Sequence, residues 1–334
     1  MNRNQQSANP LPWLAAVLLA LTVVMLGAYT RLSDAGLGCP DWPGCYGHAA
    51  VPTSPQAIDH ANEAYAHRPL EPAKAWKEMV HRYAAGLLGL MVLGLTVAAW
   101  RRGTGRALAT GLLFLVAFQA ALGMWTVTLM LKPLVVMGHL LGGLTVLSLL
   151  WVGYLNSRSY VPDRCVPPVG LRRLAVLGIA VLALQIALGG WTSANYAALA
   201  CPTFPKCMGH WWPPMDMADG FVLWRGTGVN YEFGVLDSPA RVAIHMAHRA
   251  WALVTFVYLA STALLVVRRC VGPLRVIAGA VLILLATQVS LGIANVWLSL
   301  PLPVAVAHNA VAALLLLAMI TLTHTLFRSG NTRG

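Results

Sequence analysis

Residues 243–251 bring two histidines and an arginine into the start of a long apolar run. An ionisable side chain inside a membrane segment is costly to insert, so it usually faces the interior of a helix bundle and has a function there. Imidazole nitrogens bind metals, and guanidinium groups bind carboxylates. The three side chains, His245, His248 and Arg249, are therefore candidates for a buried binding site.

A second stretch, residues 78–86, repeats this arrangement at the start of an earlier apolar run. It has the same His-Arg pair, His81 and Arg82, and it carries Glu78 at the position equivalent to His245. Glu78 lies three residues before His81 and so shares its helical face. A carboxylate there could accept a proton or stabilise positive charge during an oxidation. Glu78 is therefore the predicted catalytic residue.

Two further histidines, His139 and His308, lie near the outer ends of later apolar runs. At 1.5 Å per residue, the four histidines inside apolar runs lie roughly 9–15 Å below the outer ends of their predicted helices. His81 can thus face His139, and His248 can face His308. Core histidines that hydrogen-bond across the bundle are the alternative, but they do not explain four histidines at equal depth in a duplicated sequence.

An iron porphyrin with two axial imidazoles requires opposed histidines at one level. A zinc site would need three or four ligands close together, which neither pair supplies. The spacing therefore predicts two haem irons, one between His81 and His139 and one between His248 and His308. The arginines that follow, Arg82 and Arg249, are predicted to reach outward to haem propionates, because arginine favours carboxylates.

The elements that must position these residues are membrane helices. Hydrophobic residues form 58% of the 334 residues and charged residues only 10%, whereas a soluble domain carries about 25% charged residues. Runs of 18 or more mostly apolar residues predict spanning helices. We predict eight such helices, at residues 12–32, 76–100, 107–130, 133–155, 172–193, 239–267, 274–298 and 302–326.

The net charge of +12 is explained by topology rather than by a nucleic-acid partner. If the N-terminus lies in the cytoplasm, the inner segments carry many basic residues and a single acidic residue, Asp163. This matches the tendency of lysine and arginine to stay on the cytoplasmic side. The inner basic residues are Arg3, Arg101, Arg102, Arg106, Arg158, Arg164, Arg172, Arg173, Arg268, Arg269, Arg275, Arg328 and Arg333.

An internal repeat divides the chain into two halves of four predicted helices each. Two cysteine frames, residues 39–45 and 201–207, are offset by 162 residues, and the histidines of the two halves are offset by 167 and 169. We predict an N-terminal four-helix bundle at residues 1–160 and a C-terminal one at residues 165–334, joined by an inner linker at residues 156–168. The expected fold is all-α, with two tandem pseudo-symmetric bundles and a pseudo-axis along the membrane normal.

The six cysteines divide by side of the membrane. Cys165 and Cys270 fall in inner segments, where disulfides do not persist. The other four form the two outer frames, and we predict the disulfides Cys39–Cys45 and Cys201–Cys207, each closing a short loop. A structural role for these bridges is favoured over a redox role.

A Gln-x-x-x-Gly pattern recurs on three predicted helices, at residues 119–123, 185–189 and 288–292, and the first helix has Val23 and Gly27 at the same spacing. Residues four apart share one helical face. Two compatible interpretations stay open. The pattern could serve helix packing with a glutamine hydrogen bond across the bundle, or a flat surface that a planar ligand approaches.

With these motifs together, the chain resembles the haem A synthases. The resemblance covers essentially the whole chain and rests on the Gly27–Arg31 segment leading to the first cysteine frame, on the two histidine-arginine helix starts, and on His139, His308 and both cysteine pairs. It implies an eight-helix enzyme of aerobic respiration that oxidises the C8 methyl group of haem O to the formyl group of haem A by successive hydroxylations. It also implies a bound haem b.

Glu78 has no counterpart carboxylate in the C-terminal half, where His245 stands. We therefore predict that the N-terminal half binds substrate haem O and that the C-terminal half holds haem b as an electron relay. Two alternatives remain, a di-haem b-type membrane electron carrier and a haem-delivery assembly factor. A thiol-driven electron input through the outer cysteines is a further one.

The expected surroundings follow from the resemblance and from the charge pattern. They are a bacterial cytoplasmic membrane with both termini on the cytoplasmic side, haem O synthase as a partner, an electron donor that the sequence does not name, and no nucleic acid. Association into a homo-oligomer stays open.

Overall fold

The computed structural model describes residues 9–158 and 169–329. In these ranges the regular elements are helices, apart from isolated bridges between Cys45 and His48 and between Cys207 and His210. The helices described are α1 (Leu11–Leu32), α2 (Pro55–Ala64), α3 (Pro72–Arg102), α4 (Arg106–Thr128), α5 (Pro133–Ser157), α6 (Val169–Ala194), α7 (Met217–Gly220), α8 (Ser238–Arg269), α9 (Pro273–Trp297) and α10 (Leu302–Arg328).

Eight of these helices are long and apolar enough to cross a membrane, so the predicted all-α membrane fold is confirmed. The largest boundary difference among the spans is in α3, which begins at Pro72 rather than at residue 76, since proline suits a first helical turn. The short polar helix α2 begins at Pro55, with the Ser54 hydroxyl accepting from the Ala57 N–H at 3.3 Å, and it ends at Ala64.

Some predictions fall on residues outside the described ranges. They concern residues 159–168 of the linker and the side chains of Arg3, Asp163, Arg164, Cys165 and Arg333.

The cysteine predictions have a mixed outcome. Both outer disulfides, Cys39–Cys45 and Cys201–Cys207, are present as predicted. Cys270 is also disulfide-bonded, against the expectation drawn from its predicted inner side. That expectation rested on compartment chemistry alone and took no account of which cysteines the fold brings together.

The long helices of each half contact one another in a ring. Helix α1 contacts α3 and α5, and α4 completes the ring by contacting the same two helices; in the C-terminal half α6 contacts α8 and α10, and α9 completes the ring. Contacts between the halves run through α1, α5, α6 and α10. This packing is compatible with two tandem four-helix bundles, whose boundaries at 1–160 and 165–334 remain a prediction.

The buried apolar core is continuous across the two halves. One cluster of buried side chains includes Leu147 of α5, Leu259 of α8 and Leu322 of α10. The Trp151 indole N–H also donates to the Thr321 hydroxyl across the halves, at 2.8 Å. Because helices in lipid are held together by close packing and interhelical hydrogen bonds, this shared core keeps the two halves in fixed relative positions.

The long outer loop at residues 195–237 reaches over the N-terminal half. The Arg68 guanidinium donates to both carboxylate oxygens of Glu232, at 3.3 and 2.6 Å, and this hydrogen bond raises the pKa of Arg68 above its usual value. The Tyr231 N–H donates to the Met130 carbonyl at 3.0 Å. Two-point arginine–carboxylate pairs are among the stronger polar contacts. This loop therefore ties together the ends of the two halves that carry the disulfides.

Candidate functional site

One cavity of about 1650 Å³ extends through both halves near their outer ends. Pockets that hold one small ligand have volumes of roughly 300–1,000 Å³, so this cavity has room for more than one. The predicted site residues all line it: Glu78, His81, Arg82, His139, His248, Arg249 and His308.

The structure brings His81 of α3 and His139 of α5 close together, with their rings nearly perpendicular. Their ring centroids are 6.5 Å apart and their planes are inclined by 85°. An imidazole nitrogen binds a transition metal at about 2 Å, so two rings on opposite sides of one iron have centres roughly 6 Å apart. The Nδ1 atoms of both rings are buried without a hydrogen-bond partner, and leaving such an atom unpaired costs about 1–3 kcal/mol. This pair fits a single iron.

In the C-terminal half, His248 of α8 and His308 of α10 line the same cavity. Each ring also contacts a glutamine of a neighbouring helix. The Gln185 amide nitrogen lies 3.2 Å from His248 Nδ1, and the Gln288 amide nitrogen lies 3.2 Å from His308 Nε2. These glutamines orient their imidazoles, as outer partners of metal-binding histidines commonly do.

The N-terminal half lacks these glutamine contacts. Val23 stands where the C-terminal half has Gln185, and the Gln119 amide is buried with neither its oxygen nor its nitrogen bonded. The side-chain amide contacts of the C-terminal pair are thus missing from His81 and His139, and the two histidine pairs have different surroundings.

The glycines of the recurrent pattern pack directly against the four histidines. A Cβ atom built on each glycine would lie only 3.0–3.4 Å from the ring Cε1 of its histidine. The sequence suggested a packing surface or a surface for a planar ligand; the structure shows instead that each glycine makes room for one imidazole. The pairs are Gly27 with His81, Gly123 with His139, Gly189 with His248 and Gly292 with His308.

Glu78 and His245 have equivalent positions in the two halves. The Glu78 carboxylate is 5% exposed. It accepts from the Cys39 N–H at 2.9 Å and pairs with Arg82. His245 is similarly buried, and its Nδ1 accepts from the Cys201 N–H at 3.3 Å.

Both residues thus fasten a disulfide loop to the start of a helix. They differ in charge, because Glu78 adds a carboxylate to the cavity wall of the N-terminal half only. Buried charges require a partner, and the ion pair with Arg82 provides one.

Arg82 and Arg249 make contacts that the sequence did not predict. Arg82 donates to the backbone carbonyls of Asp41 and Gly44 in the first cysteine frame. Arg249 donates to the carbonyls of Cys201 and Thr203, at 2.8 and 2.9 Å. Their guanidinium groups therefore hold the disulfide loops in place, and their contact with haem propionates remains a prediction.

Arg31 is a cavity residue that was not among the site residues predicted from the sequence. It lines the cavity at the outer end of α1. Its guanidinium donates to the Ser193 carbonyl of the other half at 2.6 Å and stacks on the Tyr196 ring at 4.1 Å. Its Nε is buried without a partner. The sequence signal that could have identified Arg31 is its position at the end of an apolar run, in the Gly27–Arg31 segment that contributes to the family resemblance.

Comparisons with known proteins show which family this sequence resembles. Residues 12–320 match the family model described as cytochrome oxidase assembly protein, COX15-CtaA. The chain is 47% identical over 331 residues to a heme A synthase of Shewanella oneidensis, covering 96% of this chain and 98% of that protein. It is 30% identical over 348 residues to a heme A synthase of Rhizorhabdus wittichii, covering 94% of this chain and 93% of that protein.

Proposed function

The chain belongs to the cytochrome oxidase assembly protein family, and from this premise we propose that it is a haem A synthase. In this proposal it is a multi-pass oxidoreductase of the bacterial cytoplasmic membrane with both termini on the cytoplasmic side. Its substrate is haem O, whose C8 methyl group becomes the formyl group of haem A. The name heme A synthase that its relatives carry supports the proposal, and the eight apolar helices support the location.

The reaction is a four-electron oxidation. Each of two hydroxylations replaces one C–H bond of the methyl group by a C–OH bond and removes two electrons. The resulting geminal diol loses water and leaves the formyl group. With oxygen counted at the oxidation level of water, one methyl group and one water give one formyl group, four protons and four electrons. The site must therefore accept protons and pass electrons onward.

The observation that carries the proposal is the buried Glu78 carboxylate beside the His81–His139 pair. In the N-terminal half these histidines would bind the iron of haem O, and Glu78 would face the edge of the macrocycle. A carboxylate there accepts a proton as a C–H bond is broken, and it stabilises positive charge that develops on the methyl carbon. The pairing with Arg82 and the Cys39 N–H holds Glu78 in one orientation.

The C-terminal half supports a different task. His245 stands in place of the carboxylate, so a group held there has no equivalent negative charge beside it. His248 and His308 would hold a haem b, which supplies one-electron redox chemistry when bound. Both histidine pairs line one cavity, which supports passage of electrons from the N-terminal to the C-terminal half and then to an electron acceptor outside the chain.

Adding one methyl group at Gly189 is a test of the histidine contacts of the C-terminal half. In Gly189→Ala, the new Cβ would lie 3.1 Å from the His248 ring, so the imidazole must shift by a few tenths of an ångström. We expect haem b to bind about two- to tenfold more weakly or to gain high-spin character, as measured by visible spectroscopy. Gly170→Ala, on the same helix and with open space around it, is the matched control. Identical spectra for both variants would contradict the assignment.

The proposed function itself is tested by turnover. The purified protein is incubated with haem O in air, in parallel with an electron acceptor and with a reductant, and the extracted haems are separated by chromatography and identified by mass. Haem A and its hydroxylated precursor are the expected products. Haem O that returns unchanged while the protein passes electrons would favour the di-haem carrier. Haem O that is only transferred to an acceptor would favour the assembly factor.

A further inference from the structure

The two halves differ in the size of the residues that line the cavity beyond the histidines. On α3, the residues five and eight positions after His81 are Gly86 and Gly89. On α8, the same positions after His248 are Leu253 and Phe256. All four of these residues line the cavity. The N-terminal half therefore has open space where the C-terminal half has a leucine and a phenylalanine.

The helices that follow show the same trend. Counting from the equivalent residues Gln119 and Gln288, Val116 of α4 corresponds to Leu285 of α9, and Ala120 corresponds to Val289. These four residues line the cavity too. Since both helices contribute a smaller side chain in the N-terminal half, the difference is a property of one region rather than of one position.

The space beside the glycines is open. A Cβ atom built on Gly86 would meet no atom within 4 Å, and one built on Gly89 would meet only Val116, at 3.7 Å. The cavity wall follows α3 as far as Leu90. In the C-terminal half the lining of the cavity by α8 ends at Phe256. Leu253 lines this cavity and also borders a separate shallow hollow of about 450 Å³.

This region, which we call the side groove, is formed by Gly86, Gly89, Leu90, Val116 and Ala120. It is apolar throughout. Gly86 and Leu90 are exposed on the helix surface, and they lie in a helix long enough to span the membrane. At 1.5 Å per residue the groove begins roughly 7 Å below His81 and runs toward the bilayer centre. An apolar chain in it would contact both the protein and the lipid.

We propose that the side groove binds the long isoprenoid substituent of the substrate macrocycle. This inference rests on the proposed function, in which haem O binds between His81 and His139. Haem O carries an isoprenoid chain at the ring edge and haem b does not. A half that holds haem b has no chain to place, and there the equivalent positions carry the larger side chains of Leu253 and Phe256. The groove thus provides selectivity for a macrocycle that has already been alkylated, through burial of apolar surface.

The test is to give the N-terminal half the side chains of the C-terminal half. Gly86→Leu, Gly89→Phe and the double variant are purified with haem b bound. Each is titrated anaerobically, without reductant, with haem O and separately with iron protoporphyrin IX, which lacks the chain. We expect haem O to bind at least about tenfold more weakly than to the wild type, while the affinity for iron protoporphyrin IX changes little. Gly94→Leu is the control, since Gly94 lies on the same helix, has open space and does not line the cavity.

An unchanged affinity for haem O would overturn the proposal, and so would equal weakening for both macrocycles. A variant that does not fold is recognised by loss of the haem b spectrum. In that case the titrations of the wild-type protein test the proposal, which requires that it bind haem O more tightly than iron protoporphyrin IX. Binding is read without turnover, so chain-selective binding without oxidation would reject the proposed activity and keep the groove. Normal oxidation together with an unaltered affinity for haem O in the double variant would reject the groove and keep the proposed activity.

Discussion

The Glu78→His variant is expected to fold, to keep its haem b and to oxidise haem O at least about a hundredfold more slowly than the wild type. The C-terminal half shows why this substitution is informative. There His245 Nδ1 lies 3.3 Å from the Cys201 nitrogen and His245 Nε2 lies 3.0 Å from the Arg249 Nε, at the positions where Glu78 accepts the Cys39 N–H and pairs with Arg82. Because a neutral imidazole accepts at one ring nitrogen only, a histidine at position 78 keeps one of these two contacts and removes the negative charge.

Rates of product formation are measured by chromatography of extracted haems, and haem b content is measured from the reduced spectrum. Glu78→Ala, which loses the loop contacts as well as the charge, should be equally inactive and less stable. Near-normal oxidation by Glu78→His would show that Glu78 serves only to hold the disulfide loop, and the catalytic assignment would be wrong.

The His248→Ala variant is expected to lose the low-spin haem b spectrum and, with it, nearly all oxidation of haem O. Without the His248 imidazole, only His308 would hold the iron, and a cavity remains where the ring packed on Gly189. Because haem b is the proposed electron relay, substrate can still bind in the N-terminal half but its electrons have no outlet. The measurements are the reduced-minus-oxidised spectrum and the binding of haem O.

The matched control is His324→Ala. His324 lies near the inner end of α10 and hydrogen-bonds Asn156 at 3.0 Å, and it does not line the cavity. It should retain haem b and activity. An unchanged low-spin haem spectrum in His248→Ala would mean that haem b is bound elsewhere, and the assignment of the C-terminal half would have to be abandoned.

Much of the architecture could be predicted from the sequence because each prediction rested on one dominant physical effect. The cost of placing polar groups in lipid makes spanning helices continuous apolar runs, and all eight are present. Gene duplication put the cysteine frames in register, and both outer disulfides form. The equal depth of His81 and His139 followed from helical rise, and the two rings meet.

The remaining features depend on contacts between segments far apart in the chain. Nothing local to Gly27 indicates that it packs on His81, because that contact requires knowledge of which helices are neighbours. The loop contact between Arg68 and Glu232 spans 164 residues and has no counterpart in the repeat. Arg82 was predicted to face outward to propionates, but the backbone carbonyls of the first cysteine frame surround its guanidinium.

The central claim is that two histidine pairs each hold one iron and that the pair beside Glu78 holds the substrate. Electron cryo-microscopy of the purified protein with haem O, prepared anaerobically without reductant, tests it most directly. The account predicts haem O with its iron bonded to His81 and His139 and its methyl edge toward Glu78, and haem b with its iron between His248 and His308. Haem O bound in the C-terminal half, or either iron beyond bonding distance of one of its two histidines, would contradict it.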